Sequence, residues 1–328
     1  MSGVEDDRPF ETGYKSLGRV FPHPLGGDTP GFPATLKRTP FGDELTEAFV
    51  EALLAAEPLG VDEVPDLLSV SFSATDYVSH YFGPESLEAE DNLLRVDRTI
   101  ARLMDALLSR VSAEELLVVL SSDHGGCESP EALNALGFRA GRHDSAALLE
   151  RLNGALVARF GKGPRLVADF ANPSFWLDES AIVARKLELE VVERAAADIL
   201  AAEPGIAYAI TRSDLARGTL PSGPVYDGVR RSFDSERIGH VYVVPESGWV
   251  LATDAKGLDT MHGTPWNHDT HVPLVFFGNG VRPGRIFTPS DPRDVAVTLA
   301  ALLEVEPPRA SSGHVLAEVI DSRNSGSP

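Results

Sequence analysis

The sequence predicts an α/β fold in which a central, mostly parallel β-sheet is flanked by helices and carries an inserted α+β subdomain. Two short apolar runs, at residues 67–72 and 116–120, are typical of buried strands. Between them, from about residue 87 to 111, apolar residues recur at helical spacing. A strand–helix–strand order favours a parallel pair joined by a right-handed crossover.

The elements before the first strand follow from composition and periodicity. Residues 1–42 are rich in Pro and Gly and lack periodicity, which predicts an irregular N-terminal segment. A helix is predicted from about residue 44 to 56. Its expected apolar face consists of Leu45, Phe49, Leu53 and Leu54.

The middle of the chain has a different character. Residues 128–235 mix predicted helices with short alternating segments, which indicates the inserted α+β subdomain. The predicted helices are at about 130–137, 145–159 and 181–203, and the alternating segments at 165–170 and 206–210. The main domain, which we expect to be incomplete, then comprises 43–127 and 236–310. It is predicted to resume with strands at 240–244 and 272–277 and a helix at 293–305, and residues 321–328 are expected to form a frayed tail.

Composition limits the classes of partner. The 29 basic and 49 acidic residues give a formal net charge of −20, which predicts that neither nucleic acid nor an anionic membrane is a partner. We expect no membrane span, because no apolar run reaches ~18 residues, and the N-terminus lacks the pattern of a signal peptide. The single cysteine, Cys127, is expected to be a packing residue rather than a reactive thiol.

Potential metal ligands follow the predicted strands. Asp76 and His80 are four residues apart, so that one helical turn brings both side chains to the same face. Asp123 and His124 end the second apolar run and precede two glycines, which permit unusual backbone bends. His262 begins a His-Gly step ahead of a later strand. Asp and His are zinc ligands, and ligands collect at strand ends in open α/β sheets.

Two further histidines compete with His262. His268 and His271 lie within ten positions of it, and the sequence leaves open whether His262 or His271 is the third ligand. We favour His262 and expect the other two to orient the loop or to hydrogen-bond to the ligands.

With these motifs the chain resembles the alkaline phosphatase superfamily. The likeness is to its type I phosphodiesterase/nucleotide pyrophosphatase-like members, in the branch of the phosphate-irrepressible alkaline phosphatases. The matching segments are 71–84, 90–91, 94–98, 122–126 and 262–276. The resemblance implies an alkaline-phosphatase-like sheet and two zinc ions. It assigns Asp76, His80 and His262 to one ion, and Asp123 and His124 to the other.

The resemblance also implies a first metal-binding Asp and a Thr or Ser nucleophile near the start of the fold. This sequence has no counterpart of either residue. The N-terminal third of the family domain is therefore expected to be absent. The implied function is zinc-dependent hydrolysis of small-molecule phosphate esters, monoesters or diesters, by a protein that is periplasmic or secreted when complete. This chain alone is expected to be nearly inactive. The alternative is an inactive remnant that binds one zinc or serves as a structural or partner module.

Overall fold

The computed structural model describes residues 6–8, 11–26, 30–252 and 260–321. A short 3₁₀ helix at Lys15–Leu17 comes first. The α-helices in these residues are α1 (Phe32–Leu36), α2 (Phe41–Ala56), α3 (Ala74–Phe82), α4 (Leu87–Leu108), α5 (Pro130–Ala135), α6 (Ser145–Phe160), α7 (Glu179–Ala184), α8 (Leu189–Ala201), α9 (Arg212–Arg217), α10 (Pro224–Arg231), α11 (Asn267–Thr270) and α12 (Asp294–Leu302). The strands are β1 (Leu117–Ser121), β2 (Gly141–Asp144), β3 (Val167–Ala171), β4 (Ser174–Leu177), β5 (Ile206–Thr211), β6 (Val241–Pro245), β7 (Trp249–Ala252) and β8 (Leu274–Gly278).

The chain divides into two compact units. The described residues of the first unit lie within Met1–Thr29, Asp76–Glu90 and Gly126–Thr270. Those of the second lie within Pro30–Thr75, Asp91–Gly125 and His271–Pro328. The predicted domain boundaries differ from this division and stay predictions.

The first unit is built on a four-stranded sheet in the order β3-β4-β6-β5, in which all neighbours are antiparallel. Strands β2 and β7 form a separate parallel pair. The core packs α6 and α8 against the sheet, through buried residues that include Leu152, Leu156, Val192, Phe175 and Val243. Helical periodicity in α6 and α8 supplies one apolar face each. β6, which was expected in the main sheet, therefore pairs with strands of the predicted insertion.

A smaller core in the first unit holds α3. Leu17, Val78, Phe82 and Ala89 are buried together. The backbone N–H groups of Thr12 and Gly13 both donate to the carbonyl of Tyr81, at 3.1 Å. These contacts fix the C-terminal half of α3 against the segment that precedes residue 26.

The second unit contains the antiparallel pair β1–β8, with Leu117 opposite Gly278 and Ser121 opposite Leu274. Its core joins α2 and α4 through Val50, Leu54 and Leu103. The described strands thus form mixed sheets, with parallel pairing at β2–β7.

Three local predictions were wrong. Residues 67–72 form no strand, and the partner of β1 is β8 rather than this run. A strand needs a hydrogen-bonded neighbour, and an apolar run does not specify one. The predicted helix at 181–203 is two helices, α7 and α8, with a break at Lys186, whose φ is +55°.

The third concerns the buried face of α2. Leu54 is buried as predicted, but Leu45 and Phe49 are exposed. Asp43 and Glu47 are buried instead. This face of α2 is buried because its two acidic side chains find polar partners. The Asp43 carboxylate accepts a hydrogen bond from a backbone N–H, and Glu47 forms an ion pair with Arg102.

The helices that the structure describes include none with the length and apolar character of a membrane span. Of the predicted tail, Asp321 alone belongs to the described residues.

Candidate metal centre

Helix α3 supplies two of the predicted ligands. Asp76 lies in its first turn and His80 in its last, so that the four-residue spacing aligns them. The helix start is held from outside, since the Asp43 carboxylate accepts from the N–H of Ala74 at 3.0 Å. A carboxylate at a helix N-terminus satisfies an otherwise unpaired donor and interacts favourably with the helix dipole.

The loop that carries His262 is held by a buried carboxylate. Asp269 accepts hydrogen bonds from the N–H and the hydroxyl of Thr264, at 2.8 and 2.6 Å. Trp266 adds a hydrogen bond from its indole nitrogen to the carbonyl of Pro245, at 2.8 Å. Gly263 has a φ of +99°, a conformation that side chains with a Cβ rarely adopt. The loop therefore presents His262 from a fixed backbone.

Asp76, His80 and His262 converge. One potential ligand atom of each lies within 4.8 Å of the others. Asp76 Oδ1 is 3.3 Å from His80 Nε2 and 3.4 Å from His262 Nε2. The imidazole rings of the two histidines are 5.0 Å apart. The structure thus brings together three of the five predicted ligands.

His80 has a defined orientation. Its Nδ1 lies 2.8 Å from the carbonyl oxygen of Thr260. A carbonyl can only accept, so Nδ1 carries the proton and donates. In the neutral imidazole Nε2 then has a lone pair, and this lone pair faces the Asp76 carboxylate. A cation between them, either a proton or a metal ion, removes the repulsion.

The distances fit a metal ion. Two ligand atoms that are each ~2.1 Å from a tetrahedral ion lie about 3.4 Å apart. The two contacts of Asp76 Oδ1 have this length, which exceeds the usual 2.7–3.2 Å of an N–H···O hydrogen bond. Burial raises the pKa of Asp76, but its interactions with the imidazole groups of His262 and His80 outweigh burial, so its pKa lies well below the usual value. The carboxylate is therefore ionised and able to ligate. This chain contains a possible metal site.

Among the described residues of their own unit, Asp123 and His124 belong to no group of three potential ligands. His124 Nδ1 lies 2.8 Å from the carbonyl oxygen of Gly125, and its Nε2 lies 3.6 Å from Asp123 Oδ2. The Asp123 side chain is 88% exposed. Both residues follow β1, as the sequence predicted.

The two competing histidines have different surroundings. His268 Nε2 is 3.7 Å from Asp269 Oδ1, and its ring lines a small cavity of about 20 Å³ together with His262. His271 lies after α11 and belongs to the second unit. Among the described residues, the cluster of three potential ligands includes neither. Their roles as orienting residues stay predictions.

Cys127 is 4% exposed. Burial, together with the negative charges of Glu128 and Asp269, raises the pKa of its thiol to about 11. The thiol therefore stays protonated near neutral pH, as suits a packing residue.

The sequence did not predict that Thr260 and Asp269 support the candidate site. Asp269 lies inside the motif that begins at His262, but nothing in the pattern separates a buried clamp from an exposed acid. The contact of Thr260 with His80 spans 180 positions, and no periodicity signals so distant a pairing.

Comparison with known proteins places the chain in a family. A family model described as type I phosphodiesterase / nucleotide pyrophosphatase matches residues 15–272. Alkaline phosphatase PafA of Elizabethkingia meningoseptica is 31% identical over 305 residues, which are 89% of this chain and 55% of that protein. A Myroides odoratus protein named calcium-transporting ATPase is 31% identical over 332 residues, which cover 96% of this chain and 58% of that protein.

The crystal structure of PafA superimposes with a TM-score of 0.86 at 28% identity, over 97% of this chain and 60% of that chain. The predicted alkaline-phosphatase-like α/β fold is thereby confirmed. The chain spans between 55% and 60% of the length of these relatives. With more than half of its residues matched by the family model, the chain belongs to the type I phosphodiesterase/nucleotide pyrophosphatase family.

Proposed function

We propose that this chain carries metal ligands of a zinc-dependent hydrolase that acts on small-molecule phosphate esters. The convergence of Asp76, His80 and His262 supports this proposal most strongly, since their separations suit ligands of one tetrahedral ion. Membership of the family and the likeness to an alkaline phosphatase support the phosphate-ester class.

The donor set favours zinc. Two imidazole nitrogens and one carboxylate oxygen are typical of zinc sites, and three protein ligands leave a fourth position open, as in catalytic sites. When bound, zinc supplies Lewis-acid stabilisation of charge on phosphoryl oxygens. The chain's own residues hold the geometry. Asp76 contributes the anionic ligand, while His80 and His262 contribute neutral lone pairs.

Asp123 and His124 are proposed as ligands of a second zinc ion. An exposed carboxylate beside an imidazole is available to such an ion, and metal pairs of this kind activate a nucleophile and stabilise the leaving oxygen. No Thr or Ser of the described residues is assigned as the nucleophile.

The negative net charge of the chain affects how an anionic substrate is attracted. With a net charge of −20, the protein repels a phosphate ester at long range, so that local attraction has to come from the metal centre. Nucleic acid is not expected as a substrate for the same reason.

A periplasmic or secreted location is proposed for the natural protein.

Hydrolysis of a nitrophenyl phosphate monoester and diester tests the proposal, with the full product of the natural gene. Chelation is expected to abolish turnover, and added zinc to restore it. Asp76→Asn should lower turnover with zinc present, because it removes the anionic ligand, whereas Asp178→Asn, at the half-buried N-cap of α7, should leave it unchanged. Equal hydrolysis in excess chelator would refute the proposal.

One observation favours a second candidate, a protein that binds a single zinc without catalysis. Within the described ranges, one group of three or more potential ligands converges. One tight zinc per chain, together with no ester hydrolysis by the full gene product, would support this alternative.

A further inference from the structure

We infer that Thr260 is a positioning residue of the metal centre, which fixes both the tautomer and the orientation of His80. The inference rests on the proposed function, because it takes Asp76, His80 and His262 as the ligands. It assigns to Thr260 a role that arises from two separate hydrogen bonds, one made by its backbone and one by its side chain.

The first hydrogen bond joins the backbone of Thr260 to His80, one of the proposed ligands. Thr260 is 3% exposed, and its carbonyl oxygen accepts from His80 Nδ1 at 2.8 Å. The His80 side chain is 10% exposed, so that solvent competes little for this donor. A hydrogen bond from one ring nitrogen to a carbonyl fixes which nitrogen is left for a metal ion. Here that nitrogen is Nε2, which faces Asp76.

The side-chain bond anchors the carbonyl. The Thr260 hydroxyl donates to the carbonyl oxygen of Cys127, a residue that is itself 4% exposed. A peptide group whose side chain is tied to a buried backbone position has little freedom to rotate. The hydroxyl therefore holds in place the carbonyl that orients His80.

The position of Thr260 in the chain adds a second consequence. It lies two residues before His262, so one short segment both supplies a ligand and orients another. A shift of this segment would displace His262 and release His80 together. We therefore expect the loss of the hydroxyl to weaken metal binding although no ligand is removed.

A simpler interpretation is that the Thr260 hydroxyl only provides a hydrogen-bond donor for the buried carbonyl of Cys127. In that case Thr260→Val, which keeps the shape of the side chain, would cost stability and leave the metal centre unchanged. The two readings differ in what happens at His80, and this difference can be measured.

The test compares Thr260→Val and Thr260→Ser with the unchanged protein. Thr39→Val is the matched control, since Thr39 is also buried and its hydroxyl also donates to a carbonyl, that of Leu36, at 2.7 Å. Zinc affinity is measured by competition with a chromophoric chelator, and Co²⁺ absorption reports the geometry of the site. Because partners of ligating histidines are worth 10–100-fold in metal affinity, we expect Thr260→Val to lose about 10-fold. Thr260→Ser and Thr39→Val should stay within about 2-fold of the unchanged protein, since neither removes an orienting bond.

Nitrogen-15 NMR of the imidazole groups decides the tautomer without any metal. In the unchanged, metal-free protein, at a pH where the imidazole is neutral, His80 should carry its proton on Nδ1, and Thr260→Val should mix the two tautomers. A proton on Nε2 in the unchanged protein would overturn the inference. So would a Thr260→Val variant with unaltered zinc affinity and an unaltered Co²⁺ spectrum. If the unchanged protein binds no zinc, the proposed function fails, while the NMR result still decides the role of Thr260.

Discussion

The two groups of predicted ligands differ in how the chain supports them. Asp76, His80 and His262 come from a helix and a distant loop, and their ligand atoms lie within 4.8 Å of one another. Asp123 and His124 are neighbours on one loop, and the Asp123 side chain is 88% exposed. The first group brings together three ligand atoms from two segments, whereas the second consists of two adjacent side chains, one of them largely exposed.

The comparison shows what a distant segment adds to a pair of ligands. Asp123 and His124 bring two potential ligand atoms to within 3.6 Å of each other on one loop, whereas in the first group a loop far along the chain adds a third ligand atom to a pair on one helix. In the first group buried hydrogen bonds support the ligands, through Thr260 to His80 and through Asp269 to the loop of His262. Supporting bonds of this kind raise affinity because fewer conformations are lost on binding.

The largest effect is expected from His262→Ala. Removing a ligand should cost more than removing the partner of a ligand, so zinc affinity should fall by at least ~100-fold. Isothermal titration with zinc measures the change. His314→Ala is the control, because the His314 side chain is 92% exposed. An affinity unchanged in His262→Ala would mean that another histidine completes the site, and the contrast between the two groups would be lost.

A smaller effect is expected at the start of α3, where Asp43 is buried. Burial raises the pKa of Asp43 to about 6, although the hydrogen bond from Ala74 acts in the opposite direction. The folded state therefore holds this proton up to a higher pH than the unfolded chain does. The stability that the protonated form contributes is complete below about pH 4 and is lost as the pH rises through about 6.

Asp43→Asn keeps an acceptor for the N–H of Ala74 and removes this titration. Relative to the unchanged protein, the variant should gain about 2 kcal/mol in the free energy of unfolding between pH 4 and 7. Urea denaturation at several pH values measures the difference. A gap that does not change with pH would show that Asp43 titrates normally, and that the ligand helix is not held by a buried acid.

The smallest effect is expected from His124→Ala on the tighter zinc ion. Among the described residues, His124 is not one of the three potential ligands of that cluster, so the affinity of that ion should change by less than ~2-fold. A second, weaker zinc equivalent should disappear. A large loss of the tight equivalent would instead show that the two groups act as one site.

The sequence predicted which potential ligands converge better than it predicted the pairing of the strands. The spacing of Asp76 and His80 was enough to predict a shared helical face, because the helical repeat is local. His262 was preferred to His271 because of its motif. In the structure, His262 lies 3.4 Å from Asp76, one of the two potential ligands on α3. The run at 67–72 was predicted as a strand because its residues are apolar, but strand pairing depends on a distant partner that composition does not name.

By itself, therefore, the sequence determined the α/β class, the family and the identities of the potential ligands, since these depend on local periodicity and on motifs. Tertiary structure alone decided which face of α2 is buried, where Asp43 and Glu47 find partners while Leu45 and Phe49 stay exposed. It alone decided that β1 pairs with β8, and that Thr260 faces His80. Each of these contacts joins residues far apart in the chain, and the energy of a buried polar group depends on a partner that only the folded chain supplies.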